Sequence, residues 1–138
     1  MTYQPQGDRP PGDREPAIRT IAMPADANAS GDIFGGWMMS QMDMAGGVAA
    51  VRRAKGRVVT VAVEAMTFHQ PVLVGDLVSC YAEVTRVGRT SLSVRIDAWV
   101  ERRNGGAAER VTSGTFTYVA VDEARKPRAV PANNASMS

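Results

Sequence analysis

GGWMMSQMDMAGGVAAVRRA, residues 35–54, runs for twenty positions without a proline and is rich in Met and Ala. Glycines open it, Arg52, Arg53 and Lys55 gather where cations suit the negative end of a helix dipole, and Gly56 is placed to cap its C-terminus. The pattern predicts one long helix. Before Arg52 its strongly polar side chains are Ser40, Gln41 and Asp43, so the helix is apolar nearly all round and belongs inside the protein.

Downstream the pattern changes. Residues 57–69 (RVVTVAVEAMTFH), 76–87, 91–102 and 111–121 are rich in Val, Thr and aromatics, with turn signals at Pro71, Gly75–Asp76, Gly88 and Asn104–Gly106. Four long strands are predicted, and the short links between them favour antiparallel neighbours over helical crossovers. Upstream, a short apolar stretch at 18–23 stops at Pro24 and meets the turn formers of 26–32, which reads as a strand leading into a loop. The fold class is therefore α+β, a long central helix wrapped by an antiparallel sheet. So thin a unit covers an apolar helix poorly by itself, so at least a dimer is expected, with edge strands paired across subunits.

Residues 1–16 hold four of the eight prolines with alternating charges, and 132–138 are small and polar; both are expected to be disordered tails around one domain at 17–131. The formal charge of +2 comes from fourteen Arg and two Lys against fourteen acids, with no basic run longer than two, which argues against a nucleic-acid partner. One cysteine, Cys80, and one histidine, His69, form neither an internal disulfide nor a zinc site of the usual ligands. No apolar stretch approaches membrane-spanning length and the N-terminus does not read as a signal peptide, so a cytoplasmic protein is expected.

Asp43 carries the most chemical interest, because a carboxylate in a buried helix needs partners or a task. Gly46 and Gly47 lie one turn away, implying close approach of a ligand or partner backbone; the other reading is a structural Asp43 hydrogen-bonded to a neighbouring strand, with both glycines serving helix-on-sheet packing. The helix start, NASGDIFGG at 28–36, offers backbone N–H groups without internal acceptors, suited to an anion or a developing oxyanion. Asp43 stands eight residues beyond Gly35, about 12 Å along the axis, so carboxylate and helix start cooperate more readily from different subunits. Asn28 reads either as a turn residue or as an amide donor, and Asp32 as a cap. Gly88, Arg89, Thr90 and Ser91 form a turn suited to a phosphate or an ordinary hairpin. His69, at a strand end, reads as structural or as a general base.

From residue 19 to 128 the chain resembles the YciA-type acyl-CoA thioesterases of the hotdog superfamily. The strings are RTIAMP (19–24), GDIFGGWMMSQMDMAGG (31–47), GRVVTVAVEAMTF (56–68), Pro71 with VGD (74–76), GRTS (88–91), and YVAVD with KPR (118–128). The resemblance implies a hotdog fold in double-hotdog dimers, commonly assembled as trimers of dimers, and hydrolysis of acyl-CoA to a free acid and CoA with broad chain-length tolerance and no metal or cofactor. It assigns the catalytic aspartate to Asp43 and the asparagine contributed across the dimer to Asn28; Ser30 stands where many relatives carry a second asparagine. On this reading the thioester carbonyl faces the N–H groups of Phe34, Gly35 and Gly36. Arg57, Val58 and Val59 line the pantetheine path, Gly88–Ser91 meet the CoA phosphates, and Lys126 and Arg128 serve the nucleotide end. The alternatives are a non-catalytic acyl-CoA sensor and an acyl thioester hydratase or dehydratase, for which His69 is the sole histidine.

Overall fold

The protein is described by a computed structural model covering residues 10–12 and 14–133. Strand β1 (Ile18–Ile21) is followed by a 3-10 turn (Pro24–Asp26) and then by helix α1 (Gly35–Ala54). Four long strands complete the fold: β2 (Val58–Phe68), β3 (Leu77–Val87), β4 (Ser91–Glu101) and β5 (Glu109–Ala120). They form one antiparallel sheet in the order β1-β3-β4-β5-β2, and α1 packs against every strand of it. This is the wrapped-helix arrangement expected from sequence.

Two hairpins, β3–β4 and β4–β5, close as the turn signals predict, the second through Gly105 and Gly106 at positive φ. The link from β2 to β3 departs from the expectation. Although short, it carries the chain from one edge of the sheet to a strand beyond β4 and β5, so β2 and β3 are not neighbours. Other backbone along the way supports it: Ile33 N–H donates to Val72 O (2.9 Å), Gly75 N–H to Ala22 O (2.8 Å) and Ala22 N–H to Asp76 O (3.0 Å). The Asp76 carboxylate, buried, accepts from Leu73 N–H (2.8 Å) and from Arg102 (2.6 Å), which also pairs with Glu109 and pins the link to the β4–β5 end.

Helix α1 buries Met38, Met42, Ala45, Gly46, Ala50 and Ala54, a stripe at helical spacing, against Val78, Val94, Ile96, Phe116 and Tyr118. The opposite face is apolar too, yet in one protomer it is open: Met44 is 49% exposed and Val51 44%. Edge strand β2 leaves Val61 and Phe68 more than half exposed beside it. The helix is thus half covered by its own sheet, the poor cover expected of so thin a unit.

Residues 14–16 do not behave as the tail expected up to residue 16, since Arg14 donates to Ala82 O (2.7 Å) and faces Glu83 on β3. The rest of the N-terminal call lies mostly, and residues 134–138 of the C-terminal one wholly, outside the described residues. Cys80 is buried and unpaired, and burial pushes its thiol up to about 12.

Candidate active site

Asp43 follows buried Met42 on α1 and precedes exposed Met44, so its carboxylate stands at the rim of the core. Beneath it, Thr60 on β2 and Tyr118 on β5 are direct cross-strand partners, which puts both side chains on the face covered by the helix. Thr60 Oγ1 donates to Asp43 Oδ1 at 2.7 Å. The single Tyr118 Oη hydrogen is shared between the Asp43 main-chain carbonyl at 2.9 Å and the same carboxylate oxygen at 3.1 Å. Among the described residues no group donates to Oδ2. Burial first, then the Asp43 charge and its hydrogen bond, raise the Tyr118 phenol above its ordinary range, so it remains a donor.

The two glycines beside Asp43 have separate explanations. A Cβ at Gly46 would overlap Tyr118 Oη and press Ile96 Cδ1 at 3.0 Å, so this glycine opens the path by which the phenol reaches the carboxylate. Gly47 faces open space. Tyr118 and Thr60 were missed in the sequence, while Gly46 meets the helix-on-sheet packing offered as one reading of it; the alternation of Phe116 and Tyr118 marks an inward face, but only the β2–β5 register brings Thr60 opposite Tyr118.

Asn28 belongs to a second cluster. Its Oδ1 accepts from Ser30 N–H (2.9 Å) and Asp32 N–H (3.1 Å), and its main chain closes the same loop through Asp32 O (2.7 Å). The turn role is therefore real, and it uses the carbonyl end of a residue that also lines the cavity beside it. That cavity, about 400 Å³, is lined among others by Asn28, Asp32, Gly35, Met38, Phe68 and His69. Asp32 is not the helix cap: Phe34 holds that position, and no side chain caps α1. The Phe34 N–H is taken by Asp26 O (3.0 Å), which removes it from the expected anion-binding set and leaves Gly35 and Gly36. Gly35 is on the cavity wall; Gly36 is exposed. His69 bonds Ser113 Oγ through Nε2 at 2.9 Å. Asp43 is not part of this wall.

The third cluster gathers around the C-terminal end of β5. Arg57 O accepts from Val121 N–H (3.0 Å), Thr90 O from Ala120 N–H (2.8 Å) and Arg89 O from Val130 N–H (2.8 Å), so Arg57, the Gly88–Ser91 turn and the 126–128 segment are neighbours. Val58 and Val59 pair with Ala120 and Val119. A cavity of about 340 Å³ lies among Lys55, Arg57, Asp122, Glu123 and Arg128. Arg128, expected at the nucleotide end, lines this cavity and also has a structural task. Its guanidinium donates to Val121 O (3.0 Å) and Ala54 O (3.1 Å), closing the C-terminal end of α1.

Among the described residues no group of three or more His, Cys, Asp or Glu side chains is arranged to hold a metal ion, and no helix is long and apolar enough to cross a membrane. The Thioesterase superfamily matches residues 30–107. The acyl-CoA thioester hydrolase YciA of Escherichia coli (strain K12) is 52% identical over 130 residues, 92% of this chain and 93% of the relative. A hexameric thioesterase of Yersinia pestis superposes with a TM-score of 0.83 at 52% identity, over 88% of this chain and 99% of that one. A hexameric broad-specificity acyl-coenzyme A thioesterase gives a TM-score of 0.83 at 44% identity, over 97% and 92%.

Proposed function

This chain belongs to the thioesterase superfamily of hotdog proteins, in its YciA type, and from that membership we propose that it hydrolyses acyl-CoA thioesters to a carboxylic acid and free CoA. The observation that carries the reading is the Asp43 carboxylate, held by two hydroxyls on Oδ1 with Oδ2 left to act. In the proposed reaction Oδ2 takes a proton from water as the water oxygen attacks the thioester carbonyl carbon. Negative charge develops on the carbonyl oxygen, where the Gly35 and Gly36 N–H groups and the Asn28 amide stabilise it. Collapse breaks the C–S bond, and the departing thiolate recovers the proton from Asp43. Water supplies the atoms gained by acid and thiol, so no cofactor is needed.

The two halves of this site come from different protomers. Asp43 lies outside the wall of the Asn28 cavity and about 12 Å along α1 from Gly35, while the exposed face of α1 and the open edge of β2 offer an apolar surface for a second copy. The named neighbours are hexamers, which supports a homo-oligomer, and a trimer of dimers is proposed for this chain. The clusters around Arg57 and Gly88–Ser91 are proposed for CoA, with Lys126 at its nucleotide end. One cysteine forms no internal disulfide, in keeping with a proposed cytoplasmic location, and the modest charge leaves nucleic acid aside as a partner.

Asp43→Asn is expected to lower thiol release from a medium-chain acyl-CoA by at least about a hundredfold, as loss of a general base does. Wild-type turnover in the folded variant overturns the reading. CoA-ester binding without any thiol release by the wild-type protein would instead favour a sensor. Direct attack by Oδ2 through a mixed anhydride is tested by a single turnover in ¹⁸O-water: label in the Asp43 carboxylate demonstrates an anhydride opened by water at Cγ, whereas label in the product acid alone fits the general-base route and an anhydride opened at the acyl carbon.

A further inference from the structure

We propose that Thr60 and Tyr118 are positioning residues that lock the Asp43 carboxylate by holding Oδ1 from the same side, so that Oδ2 alone is presented to the reacting water. The proposal rests on Asp43 being the base.

A carboxylate on one methylene turns easily, because the torsion that exchanges its oxygens is broad. Two donors converging on one oxygen remove that freedom. Thr60 Oγ1 at 2.7 Å comes from β2, and Tyr118 Oη at 3.1 Å rises from β5. They are register partners, so the sheet itself fixes the spacing of the two hydroxyls, and the register slips immediately after this pair, between Thr60 and Ala62. The third element is an absence of side chain: only glycine at 46 leaves room for the phenol under the helix. A helix glycine costs stability relative to alanine, and helix packing alone does not require a polar atom at that point. With the Asp43 main-chain carbonyl also accepting from Tyr118, both the helix turn and its side chain are referred to the sheet. General-base catalysis depends on such placement, since reacting atoms must meet within a few tenths of an ångström.

The test uses Thr60→Val, Thr60→Ser, Tyr118→Phe and Gly46→Ala in the full-length protein, followed by thiol release. Thr60→Val and Tyr118→Phe are each expected to lower kcat about tenfold with KM changed less than about twofold, the scale of one lost hydrogen bond to a charged group. Thr60→Ser, which keeps the hydroxyl, restores most of the rate. Gly46→Ala reproduces the Tyr118→Phe defect and adds little to it in the double variant, because both act on one contact. In an Asp43→Ala background neither hydroxyl deletion changes the residual rate. The Thr60 hydroxyl bonds Asp43 Oδ1 and no main-chain group, so Thr60→Val reports on positioning even where Tyr118→Phe lowers Tm. Full kcat in folded Thr60→Val and Tyr118→Phe, with Asp43→Ala inactive, overturns this proposal and spares the hydrolase reading. An active Asp43→Ala overturns both.

Discussion

The Asn28 amide has one end tied to the loop and the other proposed for chemistry. Its carbonyl oxygen holds the loop through Ser30 and Asp32, its NH₂ takes no part in those bonds, and the residue lines the cavity shared with Gly35 and His69. Asn28→Asp keeps an acceptor for the loop and loses the donor, so it should lower kcat at least about tenfold while moving Tm far less than Asn28→Ala does. Parallel losses of Tm and activity in both variants would reduce Asn28 to a turn residue. The one thiol gives a pH prediction. Its folded value, about 12, exceeds the ordinary 9.0, so burial of the neutral thiol contributes stability that is fully present below pH 9.0 and lost as pH rises toward 12. Thermal melts of wild type and Cys80→Ala should converge over that window, and the native thiol should resist an aromatic disulfide reagent at pH 8 until the protein unfolds. At this scale Asp43 stood out because a carboxylate in an apolar run is an anomaly in one dimension, whereas Asn28 reads as an ordinary turn residue and owes its proposed role to the resemblance. Tyr118 did not stand out, since a tyrosine in a strand looks like core until its register partner is known.

The ends of α1 show how far local rules carry an element. Its span was readable from the proline-free run and the cations near its end, and it matches residue for residue. The cap was not. Lys55, not Gly56, adopts the left-handed conformation, at φ 57°. Gly56 is needed for another reason: a Cβ there would stand 2.7 Å from Arg128 Nη2, the arginine that reaches back to Ala54 O. A glycine beside a helix end satisfies either demand, and sequence alone does not separate them. The two substitutions should therefore move stability in opposite directions. Lys55→Gly relieves the backbone and is expected to stabilise by up to about 1 kcal/mol, whereas Gly56→Ala displaces the guanidinium and should destabilise by about 1–3 kcal/mol. Urea melts of the two variants check this; equal shifts of the same sign would return the cap to Gly56.

At the scale of the whole molecule, strand content was legible and strand order was not. The chain crosses beneath the helix start between β2 and β3, a step recorded in main-chain bonds to Ala22 and Ile33 that no periodicity announces. That crossing leaves β2 at the edge, next to the uncovered half of α1, so the surface awaiting a second copy lies beside Asp43 and Thr60. A site divided between protomers has a consequence that one contained in a single chain lacks. Consider Asp43→Ala and Asn28→Ala proteins, each crippled because every site lacks one member. In a mixed dimer one site receives Asn28 from the first chain and Asp43 from the second and is whole, while the other lacks both. Random exchange makes half the dimers mixed, so activity should return to roughly one quarter of wild type after the two are unfolded together and refolded. Mixing without exchange supplies the control. If mass analysis shows mixed dimers and activity stays at the level of the parents, Asp43 and Asn28 do not meet across the interface, and the catalytic geometry proposed for this fold fails with them.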